Sequence, residues 1–164
     1  MRREFVAMES SMRQFIEQPD YPTLLISASD SDVMAPVKVL NNWDRQWQSH
    51  IFLIFPFDCN DAPDYLRQCM DALAKQIDAA NEERAVKSQP AWAPLPLFCM
   101  DPRQPPAKCL QTAMEHVHTL ITEPVDIIWG LLPGAIGDPA GYKTMISLLL
   151  AVDGYQRWMD GHRF

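Results

Sequence analysis

The sequence predicts an α/β protein, a three-layer sandwich in which three or four mostly parallel strands are flanked by helices, preceded by an N-terminal amphipathic helix. Three observations carry this expectation. Short apolar runs alternate along the chain with longer stretches of helical periodicity. Two of the runs, residues 50–57 and 125–132, are almost continuously apolar, as suits strands covered on both faces. The helical stretches between the runs are long enough to be the crossovers that parallel strands need.

The elements follow in order. Over residues 4–17, Phe5, Met8, Met12, Phe15 and Ile16 recur at spacings of three and four, with Glu9, Arg13 and Glu17 off the stripe. Pro19 and Pro22 close this helix. Residues 23–27, Thr-Leu-Leu-Ile-Ser, read as a short buried strand, and Asp30, Ser31 and Asp32 as a turn. A helix over residues 33–48 tolerates Pro36 in its first turn and puts Trp43 and Trp47 on one face. After the strand at 50–57, a long helix over 62–86 carries the stripe Leu66, Cys69, Met70, Leu73 and Ile77. Residues 88–106 hold Pro90, Pro94, Pro96, Pro102, Pro105 and Pro106, a proline-rich connection that cannot be helical throughout. Within it, residues 95–100 read as a short edge strand. A helix over 107–122, the strand at 125–132 and a final helix over 139–159 complete the pattern, and Phe164 could open a further strand.

The chain has 164 residues, 48% hydrophobic and 21% charged, within the range of a single globular domain. It reads as one domain over 1–164, either entire or the N-terminal part of a longer protein. The net charge of −7 opposes binding to nucleic-acid backbones and to anionic lipid. Glu4, Glu9, Ser10, Ser11 and Arg13 interrupt any signal-length apolar run, and no stretch reaches the ~20 apolar residues of a membrane span. A cytoplasmic location is therefore expected. Cys59, Cys69, Cys99 and Cys109 form no Cys-x-x-Cys pair and have no histidine at zinc spacing, so they read as reduced, buried thiols.

In an open parallel sheet, ligands sit beyond the carboxyl ends of the strands. Asp30 and Asp32 follow the first expected strand, Asp58 and Asp61 the second, Asp101 the third and Asp138 the fourth. Sharing one rim, Asp30, Asp32, Asp58 and Asp101 could hold a magnesium ion that organises a phosphate, with Asp30 and Asp32 central to catalysis. Helix capping explains each acid singly, because aspartate is a favoured N-cap and Asp138 precedes Pro139 as Asp61 precedes Pro63. Capping is the preferred reading. The segment Asp30-Ser31-Asp32-Val33 also resembles the first motif of the haloacid dehalogenase-like phosphatases, in which an Asp nucleophile and an Asp acid stand two apart after a strand. Met34 occupies the place of the expected Thr or Val, Asp138 stands without the late acidic partner, and membership is not assigned.

The phosphate-loop, dinucleotide-loop and nucleophile-elbow patterns are missing. His116 and His118 are two apart on a helix and point to different faces. Cys59 or Cys99, each just past an expected strand, could in principle serve as a nucleophile, but burial as a small apolar side chain is the preferred reading. The preferred function is accordingly a non-catalytic protein-interaction domain, an adaptor or a subunit of a larger assembly, needing no cofactor. Its partner would be another protein or a second copy of itself. Two features supply the contact surface: the stripe of Phe5, Met8 and Met12 on a helix extra to the alternating pattern, and Trp92, held between Pro90 and Pro94. The alternative is a magnesium-dependent phosphate-handling enzyme or receiver-like domain.

Overall fold

The computed structural model describes residues 2–18, 23–26, 32–47, 49–150 and 162–163. The chain groups into two compact units: Met1–Pro56 with Pro124–Ala135 and Arg157–Phe164, and Phe57–Glu123 with Ile136–Gln156.

The first unit contains α1 (Arg2–Glu17), α2 (Ala35–Asp44), β1 (His50–Phe55), β2 (Asp126–Leu131) and the two-residue β3 (His162–Arg163). β1 and β2 pair in parallel, His50 opposite Asp126 through Phe55 opposite Leu131. β3 extends this pair on the β2 side, again parallel, with Ile127 opposite His162. The same-direction pairing expected from the apolar runs is therefore present. Both strands bury residues on two faces. Phe52 and Ile128 join Met12, Ile16, Val39, Leu40 and Trp43 in one cluster, while Phe55 and Trp129 pack together with ring centroids 6.1 Å apart. Gly130 lets α2 approach β2 closely, since a Cβ there would lie 3.3 Å from Leu40 Cδ1. Trp43 and Trp47 stack at 4.9 Å, with the Arg13 guanidinium over both rings at 5.4 and 5.3 Å. The shared face read from their spacing is thus the face that meets α1.

The second unit is helical: α3 (Ala62–Val86), α4 (Leu97–Met100), α5 (Pro106–Leu120) and α6 (Pro139–Leu150). α3 starts where its cap dictates. Asp61 is extended, and its Oδ1 accepts the Asp64 backbone N–H at 2.7 Å. Its stripe of Tyr65, Leu66, Cys69, Met70, Leu73 and Ile77 is buried, as are Cys109, Leu110, Ala113, Met114 and Val117 of α5. The Gly137 N–H donates to the Cys59 carbonyl at 2.8 Å, and Cys59 and Ile136 form a parallel bridge. A Cβ at Gly137 would crowd the Asn60 carbonyl oxygen at 3.2 Å.

Four expectations are corrected. Residues 23–26 are not a strand: Leu24 and Ile26 pack on the α1–α2 cluster while Leu25 is 79% exposed, so the side chains alternate but the backbone has no ladder partner among the described residues. Ser27 of that expected strand lies outside the described residues. Residues 95–100 are not a strand either. The prolines at 94 and 96 supply no N–H to a ladder, and the chain turns into α4, where the Cys99 N–H donates to the Pro96 carbonyl at 2.9 Å. With these two segments lost, the described residues form a small parallel sheet with helices, not a clear three-layer sandwich of three or four full strands. The helix expected over 33–48 is shorter, because the Gln46 and Trp47 N–H groups both return to the Trp43 carbonyl and close α2. The helix expected to reach 159 is described only to Leu150, and the rest of it lies outside the described residues.

Candidate functional site

The proline-rich connection of the second unit is fixed by side chains from two helices. Asn81 of α3 brackets Trp92: the Trp92 N–H donates to Asn81 Oδ1 at 2.6 Å, and Asn81 Nδ2 donates to the Trp92 carbonyl at 3.0 Å. One turn on, Arg84 Nε donates to the Pro90 carbonyl at 2.7 Å, and its guanidinium lies over the Trp92 ring at 4.9 Å. From α5, His116 Nε2 lies 3.1 Å from the Ala93 carbonyl oxygen. Leu95 is buried. These contacts occupy backbone groups that proline-rich chain otherwise leaves to water.

Just past this clamp the chain turns outward. Leu97 is 88% exposed, Phe98 36% and Met100 41%, three large apolar side chains on one helical turn, while Cys99 between them is buried. The turn is braced on its far side. Asp101 accepts the Arg103 Nε at 2.9 Å, the Arg103 backbone N–H at 3.1 Å and Gln104 Nε2 at 3.1 Å. These hydrogen bonds, the Arg103 side chain foremost, hold the Asp101 carboxyl well below the usual carboxylate range. Beside the turn runs a small open groove of about 120 Å³, lined by Leu66, Arg67, Met70 and Asp71 of α3, Cys99 and Met100 of α4, Gln104, and Cys109 of α5.

The residues singled out from sequence take various places. Met12 lies within the core of the first unit, and Met8 is half-buried against it. Phe5 is exposed, next to an exposed Val6. Trp92 is half-buried in its clamp, so the apolar surface offered by this connection is five to eight residues further on. Asp30 lies outside the described residues. Asp32 sits in the turn before α2, where its carbonyl accepts the Ala35 N–H at 2.9 Å. Asp58 is exposed, and its carbonyl accepts from Gln68 Nε2 at 3.3 Å. Asp61 and Asp138 cap α3 and α6, the latter through the Gly141 N–H at 3.0 Å. Asp101 follows a helix turn, not a strand, and its oxygens are engaged by Arg103 and Gln104. Among the described residues no three His, Cys, Asp or Glu side chains converge as a metal site requires.

All four thiols are buried and unbridged. Burial pushes Cys69 up to about 12 and Cys99 up to about 11, and raises Cys59 and Cys109 as well. At neutral pH they are protonated, the opposite of an activated nucleophile. Sequence reasoning missed Leu97, Phe98 and Met100 because residues 95–100, an apolar run among prolines, read as a short edge strand. No helix among the described residues is long and apolar enough to cross a membrane. Comparison with known proteins gives no matching family model, no matching curated protein and no matching solved structure.

Proposed function

We propose that this chain is a non-catalytic protein-interaction domain, an adaptor or assembly subunit that binds another protein through the turn bearing Leu97, Phe98 and Met100. The carrying observation is that Leu97 stands 88% exposed between two hydrogen-bonded points, the Trp92 backbone held by Asn81 and the local turn closed by Asp101 and the Arg103 N–H. Water contact at such a side chain forgoes about 1.5–3 kcal/mol that burial would return. A mobile loop would spend part of that gain on being ordered, whereas a turn already fixed by Asn81, Arg84 and Arg103 would not. Phe5 and Val6, exposed on α1, offer a second, smaller apolar contact on the first unit. Four unbridged thiols are compatible with a reducing compartment, and a cytoplasmic location is part of this proposal.

Replacing an exposed leucine with a charge tests this with little risk to folding. In quantitative co-purification from cells, Leu97→Asp should lose a partner that the parent chain and an exposed-lysine control, Lys75→Ala, both retain. The melting temperature should stay unchanged. Equal recovery with Leu97→Asp, or light scattering that shows the same turn mediating self-association, would overturn the assignment to a separate protein partner.

A further inference from the structure

We propose that Cys99 and Cys109 form a reversible disulfide that staples α4 to α5, a redox-sensitive device in the wall of the groove. The geometry points to this pair in particular. Cys99 Sγ lies 3.5 Å from the Cys109 carbonyl oxygen, and Cys109 Sγ lies 3.7 Å from the carbonyl oxygen of Phe98, the residue before Cys99. Each thiol therefore reaches across to the backbone of the other's segment. Both side chains thus face the contact between α4 and α5, where a bridge would need Cα atoms roughly 4.4–6.8 Å apart. Both also line the open groove, on the side from which an oxidant would approach, although the two residues are only 4% and 1% exposed.

The other two thiols are directed elsewhere. Cys59 Sγ turns to the Asp61 carbonyl in its own loop at 3.6 Å, and Cys69 is hydrogen-bonded to the Tyr65 side chain. Neither lines the groove.

The chemistry is thiol–disulfide exchange with a low-molecular-weight disulfide such as oxidised glutathione. Cys99, the more exposed of the pair, is protonated at rest and reacts slowly, through the minor population that has given its proton to solvent; that thiolate attacks one sulfur of the oxidant. That S–S bond breaks, and one glutathione thiolate leaves with the bonding electrons and takes a proton. Cys109 then loses its proton, and its thiolate attacks Cys99 Sγ and expels the second glutathione. The two cysteines are oxidised by two electrons in total, the oxidant is reduced to two thiols, and the two protons end on those thiols. The bridge would close a short loop and hold the Leu97–Met100 turn against α5. It stands whether or not that turn binds a partner.

The test is to equilibrate the full chain in glutathione buffers of stepped oxidation, quench it in acid, alkylate it and map it by tryptic peptide mass spectrometry. Cleavage after Arg103 and Lys108 puts the two cysteines on separate peptides, so a bridge appears as one linked species. The expected result is a Cys99–Cys109 link in the folded chain that dithiothreitol reverses. The link should persist in a Cys59→Ala/Cys69→Ala variant, and Cys99→Ala should leave Cys109 carrying at most a glutathione adduct. A different dominant pairing would overturn the proposal. So would Cys99 and Cys109 staying reduced in the folded chain under conditions that link the guanidine-unfolded chain.

Discussion

Asn81 does the most with the least. One amide supplies both an acceptor and a donor to the Trp92 backbone, at 2.6 and 3.0 Å, and so replaces the ladder partner that this strand-like segment lacks. Asn81→Ala should leave a part-buried N–H and C=O without protein partners, costing about 1–3 kcal/mol in urea denaturation. The same variant should speed proteolysis within residues 88–106, because the outward turn loses its anchor. If cleavage there and stability both match the parent chain, the segment is held by its prolines alone. The clamp could not be read from sequence: nothing about an asparagine on the polar side of a helix says which of its neighbours in space it will bracket. Leu97 was visible as an apolar residue. Its exposure depends on the chain turning at Pro96 to form a helical turn, a choice that local propensity leaves open.

At the scale of elements, legibility follows the strength of the local signal. α3 begins and ends where its cap and periodicity place it, because Asp61, Pro63 and the buried stripe all agree. β1 and β2 were legible because continuous apolar runs have few other uses. The strands expected over 23–27 and 95–100 were not found over 23–26 and 97–100, because so short an apolar run fits a strand, an extended arm and a helical turn alike. The acids past the strands were best read one at a time, and Asp61 and Asp138 do cap the helices they precede. A Cβ added at Gly141 would collide with the Asp138 carboxylate that caps the same helix. Asp138→Ala should therefore cost about 0.5–2 kcal/mol, the range for losing an N-cap. Gly141→Ala should be destabilising on its own, against the gain a helical Gly→Ala change normally brings. The double variant should cost less than the sum, since the collision is gone once the carboxylate is. Additive losses in a denaturation cycle would show that the two residues act independently.

At the scale of the whole molecule, the buried thiols and phenols set an asymmetric response to pH. The folded chain keeps its thiols protonated, Cys69 up to about 12 and Cys99 up to about 11, whereas an unfolded thiol releases its proton near ~8.5. Above that value the unfolded state binds fewer protons, so stability falls as pH rises, by up to about 1.4 kcal/mol per pH unit for Cys69. Burial raises Tyr65 and Tyr142 too, which steepens the loss above pH ~10. On the acid side the depressed Asp101 has the opposite sign: its support is present above the unfolded value near ~3.9 and is lost as pH falls through the folded value. Urea midpoints taken in reductant should be flat between pH ~6 and ~8 and fall steadily by pH ~10. A midpoint that holds to pH ~10 would mean the thiols are far better solvated than their burial implies.

Binding through the Leu97 turn is tested most directly by photo-crosslinking. A benzophenone amino acid placed at position 97 of the full chain should, on irradiation in cells, give a discrete adduct with one other protein. The same probe at position 75, an exposed site on α3 away from the groove lining, should not give that adduct. Absence of any adduct at 97, or the same pattern from both positions, would contradict the assignment of this turn as the contact surface.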